Sequence, residues 1–156
     1  VVRNPSEETV MLHIGFTGTR HGMTPAQADA LAARLAPYAE ADVWAFHHGD
    51  CQGADAQAHE IAWILGAIVH VHPRDTDTWR AFCAGPSRVI RYAPLPDVAR
   101  TQAIVEACDV LLAAPAHVDE AREPETWATI RQARTLGKPI IIVPPDSPGE
   151  QGAPHV

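Results

Sequence analysis

Short apolar runs alternate with helical patterns along most of this chain. Residues 11–16, 43–47, 67–72, 110–114 and 139–143 are dense in apolar residues and show little strict alternation with polar ones. Between them, Ala28, Leu31, Ala32 and Leu35 recur at helical spacing, as do Ala54, Ala58, Ile61, Ala62 and Leu65, and then Val98, Ile104 and Val105. Continuous apolar strands separated by helices predict a parallel sheet buried on both faces. The expected class is therefore α/β: a three-layer Rossmann-like domain with a mainly parallel sheet of about five or more strands.

Local signals bound these elements. Thr24 is placed to cap a helix that opens on Pro25, runs from Ala26 to Ala36 and stops before Pro37. The second helix is expected from near Gly53 to Leu65, with Gly66 ending it. Pro73 stops the third strand, and residues 74–96 read as irregular or as short elements, rich in Arg and Pro. A helix over 97–107 follows, then a strand ended by Pro115. Glu123-Pro124-Glu125 opens a helix over 126–136, capped by Gly137. One domain over 11–143 is expected, flanked by a flexible arm at 1–10 and a mobile tail at 144–156.

Two glycine-rich turns stand at strand ends. In open parallel sheets, ligands bind beyond the carboxyl ends of the strands, where the strand order reverses. Thr17, Gly18, Thr19 and Arg20 form the first turn, with hydroxyls, backbone N–H groups and a guanidinium suited to a phosphate. Gly49, Asp50, Cys51, Gly53, Ala54 and Asp55 form the second, where small residues admit a ligand and either aspartate suits ribose hydroxyls. Trp127 is a candidate for stacking a base, and Trp79 and Phe82 are lesser ones.

Composition narrows the classes. The 156 residues carry a formal net charge of −7, with only 12 Lys and Arg. That disfavours broad binding to a nucleic-acid backbone. Three separated cysteines fit reduced thiols rather than a disulfide framework. No segment reads as a membrane span or signal peptide, so a cytoplasmic location is expected. The nine histidines follow no compact Cys/His zinc pattern, and no metal or other cofactor is expected.

Five motifs in order carry a resemblance: Gly15-Phe16-Thr17-Gly18-Thr19-Arg20; His48-Gly49-Asp50-Cys51-Gln52-Gly53-Ala54-Asp55; Asp109 to Pro115; Thr126 to Arg134; and Gly137-Lys138-Pro139. In this register the chain resembles the SLOG superfamily over about residues 11–143, most of all its small YspA-like members. The superfamily also includes the DNA-processing protein A (DprA) fold and the LONELY GUY phosphoribohydrolases. The resemblance implies a nucleotide-binding Rossmann-like domain, with Arg100, Pro115, Glu125, Thr126 and Trp127 joining the two turns around the ligand. The hydrolase branch has a glycine-rich motif and an essential Glu after the fourth strand. Here Arg122-Glu123-Pro124-Glu125 replaces the glycines, and Trp127, Ala128 and Thr129 follow Thr126 without that Glu. Glu125 is expected to compete with a ligand phosphate there.

The leading expectation is recognition of a nucleotide or nucleotide-derived small molecule, with no catalytic residues assigned. One alternative is N-glycosidic hydrolysis of a nucleoside monophosphate, with Asp50, Asp55 or Glu125 replacing the missing Glu. The other is DprA-like binding of single-stranded DNA, against which the acidic charge weighs. A homo-oligomer is compatible with the pattern; a membrane partner is not expected.

Overall fold

The computed structural model describes residues 10–41 and 43–146. The expected arm, apart from Val10, and most of the expected tail lie outside them. Six strands form one parallel sheet: β1 (Leu12–Gly18), β2 (Trp44–His48), β3 (Ile68–Val71), β4 (Val89–Arg91), β5 (Val110–Ala114) and β6 (Ile140–Ile142). Four helices connect them: α1 (Pro25–Leu35), α2 (Ala54–Ile64), α3 (Asp97–Ala107) and α4 (Pro124–Thr135). The spatial order is β4-β3-β2-β1-β5-β6. The chain builds outward from β1, returns to place β5 beside β1, and then adds β6. The order reverses between β1 and β5.

The fold class is the one the pattern predicts. Leu31 and Leu35 of α1 and Ala54, Ala58 and Ala62 of α2 pack with Ile14, Phe16, Phe46, Val69, Val71, Leu112 and Ala114 on one face. On the other face, Val105 of α3 and Ala133 of α4 meet Leu111, while Trp127 and Ile130 of α4 meet Ala113. Alternate residues of each strand thus serve opposite layers, as the pleat requires.

Local chemistry explains the boundaries. Thr24 accepts from the Gln27 N–H at 3.0 Å, and the Gln27 side chain returns a bond to the Thr24 N–H at 3.3 Å, a capping box. Gln27 is itself buried, and its amide donates to the carbonyls of Pro115 at 2.9 Å and Val143 at 2.7 Å. One side chain thereby caps α1 and ties it to the segments leaving β5 and β6.

Most element ends shift by one or two residues from the expectation, and two differences reach the sheet itself. β1 continues to Gly18 because Thr17 and Gly18 pair with Ala113 and Ala114. Residues 89–91, within the stretch expected to be irregular or to hold short elements, form the short edge strand β4 against β3. A strand that short carries too little periodicity to register in the sequence.

Candidate functional site

A cavity of about 390 Å³ opens at the carboxyl ends of β1, β2 and β5, where the strand order reverses. The loops after these strands wall it, together with α3 and the start of α4. Of the residues expected at a site, Thr17, Gly18, Thr19, Arg20, Gly49, Cys51, Asp55, Arg100, Glu125 and Thr126 line it. The fold brings together side chains drawn from four separate stretches of chain.

The first turn differs from a phosphate nest. The Thr19 N–H donates to the Ala114 carbonyl at 3.1 Å, the His21 N–H to the Thr19 hydroxyl at 3.1 Å, and the Gly22 N–H to the Thr19 carbonyl at 3.3 Å. These donors hold the turn itself. What remains for an anion is the Arg20 guanidinium, which forms no ion pair among the described residues and stands 5.6 Å over the Trp79 ring. Trp79 also lines the cavity and is partly exposed, which makes it the aromatic available for stacking.

The second turn is built around Asp55 and Arg100. Asp55 is buried; its Oδ2 accepts from the N–H groups of Gly49 at 3.2 Å and Cys51 at 3.1 Å. Arg100 reaches over from α3 and donates through Nη1 to the Gly49 carbonyl at 2.6 Å. Gly49 is required by this approach: a Cβ there would lie 2.2 Å from Arg100 Nη1 and 3.3 Å from Asp55 Oδ2. Asp55 Oδ1 and Arg100 Nε are both buried, with no hydrogen-bond partner among the described residues. Burial raises Asp55 to about 6, although Arg100 and the two N–H bonds favour its charged form. Burial also pushes the Cys51 thiol up, which argues against a reactive thiolate.

Five expected site residues do not line the cavity. Asp50 is fully buried; its carboxylate accepts the Cys83 N–H at 2.7 Å and faces Arg80 Nε at 3.3 Å, so it anchors the long loop instead. Gly53 and Ala54 join two loops: a Cβ on Gly53 would sit 2.4 Å from the Arg20 carbonyl oxygen, and the Ala54 N–H donates to the Thr19 carbonyl at 2.8 Å. Pro115 is buried, its carbonyl taken by Gln27. Trp127 packs against Ala113 and Ile130, and its ring N–H donates to the His117 carbonyl at 3.0 Å. It belongs to the core and is not placed to stack on a ligand in the cavity.

Glu123, not Glu125, is the carboxylate held at the start of α4. It accepts the N–H groups of Ala116 at 2.6 Å and His117 at 3.0 Å and the Thr126 hydroxyl at 2.9 Å. Glu125 is exposed at the rim. The signal available in the sequence was a Glu directly before Pro124 at a helix start, with Thr126 three residues on to donate to it.

Histidines form two buried groups. Beneath α3, His47 bonds His13 and His72, each at 2.9 Å, and His70 bonds the Tyr92 hydroxyl at 2.8 Å. On the opposite face, donor atoms of His48, His59 and Cys83 lie within 4.8 Å of one another, a spacing that suits a metal. The hydrogen bonds favour another use. The Asp50 N–H donates to His48 Nδ1 at 3.0 Å, so the His48 proton sits on Nε2. From there it bonds His59 Nδ1 at 2.9 Å, and His59 Nε2 donates to the Ala84 carbonyl at 3.3 Å. In that arrangement neither imidazole offers a free lone pair to an ion at the shared point.

No protein-family model and no curated protein matches the chain. Solved structures do. The molybdenum cofactor binding protein from the phototrophic bacterium Rippkaea orientalis aligns with a TM-score of 0.64 at 20% identity, covering 88% of this chain and 79% of that one. The molybdenum cofactor carrier protein from Chlamydomonas reinhardtii aligns at 0.59 and 19% identity, covering 85% and 76%. DNA processing protein A from Streptococcus pneumoniae aligns at 0.62 and 15% identity, covering 85% of this chain and 50% of that one. At these identities the likeness is one of fold, the parallel α/β architecture described above. Among the described residues, no helix is long and apolar enough to cross a membrane.

Proposed function

We propose that the chain binds a nucleotide-type small ligand in the cavity at the ends of β1, β2 and β5. The observation that carries this reading is that two residues of the cavity wall, Asp55 and Arg100, each keep a buried polar atom, Oδ1 and Nε, without a hydrogen-bond partner among the described residues. Leaving such atoms unpaired is costly, of order 1–3 kcal/mol each. A ligand that draws the two side chains toward the cavity, donating to Asp55 and accepting from Arg100, removes both costs, and vicinal hydroxyls have the donors and acceptors to do so. Arg20 takes an anionic group, and Trp79 offers a face to a planar ring. The fold neighbours support a small-molecule reading, since two of them are named for the molybdenum cofactor.

The test is calorimetric titration with nucleoside monophosphates. Binding is expected to weaken about tenfold, ~1.4 kcal/mol, in Asp55→Asn and in Arg20→Ala. No binding by any of the panel overturns the reading.

A second reading has one specific observation behind it. Asp55, raised to about 6, is a buried carboxyl poised near neutrality in a cleft, as general acid–base work requires. Asp50 is engaged elsewhere and Glu125 is exposed, so Asp55 is the remaining candidate for N-glycosidic hydrolysis. Release of free base from a nucleoside monophosphate, abolished in Asp55→Asn, establishes this reading over recognition alone.

A further inference from the structure

Glu123 bears on which ligands the cavity admits. Two consecutive backbone N–H groups and a hydroxyl converge on its carboxylate at the start of α4. That donor set matches what a phosphate oxygen takes at a helix start. Ala116, His117, Glu123 and Thr126 all line the cavity, so the donors and their occupant belong to its wall. The loop is fixed by its own contacts: Trp127 Nε1 holds the His117 carbonyl, and the Asp119 carboxylate caps Ala121 at 3.0 Å. The other charged groups on the wall are Arg20, Asp55, Asp97, Arg100, Arg122 and Glu125.

We propose that Glu123 is a specificity-determining residue. Its carboxylate occupies the anion-holding donors of the β5–α4 loop and excludes a second anionic group of the ligand from them. The ligand class is then one with a single anionic group, held by Arg20. A nucleoside monophosphate fits, and a diphosphate reaching both loops is rejected. This rests on the nucleotide-type reading above.

The test uses the intact chain and inorganic phosphate, followed by calorimetry and thermal unfolding. The wild type is expected to bind phosphate at one locus, lost in Arg20→Ala. Arg20→Ala/Glu123→Ala is expected to regain phosphate binding, at least tenfold tighter than Arg20→Ala alone, with a phosphate-dependent rise in Tm. Arg20→Ala/Glu123→Gln is expected to gain nothing, because the amide still fills the space. A folded Arg20→Ala/Glu123→Ala variant that binds no phosphate overturns the proposal. If that variant is unfolded in phosphate-free buffer, restoration of its circular dichroism by phosphate supports the proposal, and failure to restore it overturns it. Equal phosphate binding by wild type and Arg20→Ala sinks the Arg20 role in the nucleotide reading. Glu123→Ala alone still judges Glu123 in that case, by whether phosphate stoichiometry rises above wild type.

Discussion

Asp55 and the histidines beneath α3 give opposite responses to acid. Burial and neighbouring imidazoles lower His47 to about 2 and His72 to about 4, from an ordinary 6.5. The unfolded chain therefore binds more protons at these sites as pH falls below 6.5, and stability is lost through that range. Asp55 is raised from 3.8 to about 6, so between these values the folded state holds the extra proton and stability falls as pH rises. The two effects oppose each other between about pH 4 and 6. Urea unfolding across this range is expected to show net acid destabilisation, and Asp55→Asn is expected to make it steeper. An unchanged slope in the variant contradicts the assignment. Gly49→Ala is a second prediction: the added Cβ displaces Arg100 from the Gly49 carbonyl, costing ~1–3 kcal/mol and weakening ligand binding. Sequence placed Gly49, Asp55 and Arg100 at a candidate site. It did not show that the glycine makes room for the arginine, because Gly49 and Arg100 are distant in the chain.

The helices place two residues whose roles depend on what faces them. Gln27 looks like an ordinary polar residue in the first turn of α1, yet it bridges the Pro115 and Val143 carbonyls. Gln27→Leu leaves both carbonyls buried without that donor and is expected to cost ~2–4 kcal/mol in chemical unfolding. Trp127 lies early in α4, at a position where stacking on a ligand is a natural expectation. Its burial against Ala113 and Ile130 assigns it to packing. Trp127→Phe is expected to cost about 1 kcal/mol of stability through the lost bond to the His117 carbonyl, with ligand affinity unchanged. Trp79→Ala is expected to do the reverse, lowering affinity while leaving stability within about 0.5 kcal/mol. The periodic pattern identified α1, α2 and α3 as helices because their apolar faces recur at helical spacing, and α4 was placed by Pro124 and Gly137 at its ends. It could not say which polar residue turns inward, since that depends on what lies opposite.

Acidity and sheet order constrain the molecule together. A net charge of −7 opposes the phosphate backbone of a long nucleic acid, and the cavity wall itself sets Arg20, Arg100 and Arg122 among Asp55, Asp97, Glu123 and Glu125, so an anionic group finds a single local guanidinium rather than a basic surface. Saturation with the cognate ligand at about 100 times its Kd is expected to stabilise the fold by ~2.7 kcal/mol, read as a rise in Tm. Salt-dependent binding of a single-stranded oligonucleotide would favour the DprA-like alternative instead.

Periodicity and caps were enough for the α/β class, the parallel sheet and the two glycine turns, because they are local and repeat at short range. The cavity required β5 to return beside β1, a pairing between Gly18 and Ala114 that no short-range pattern encodes. That juxtaposition seats Trp127 and Ile130 against Ala113 of β5. Asp50 finds Cys83 and Arg80, and Arg100 finds the Gly49 carbonyl, across long gaps in the chain, whereas Glu123 takes its donors from its own loop and was within reach of the sequence. What a buried polar atom such as Asp50 finds across the fold is decided by the tertiary structure, because its partners are distant in the chain.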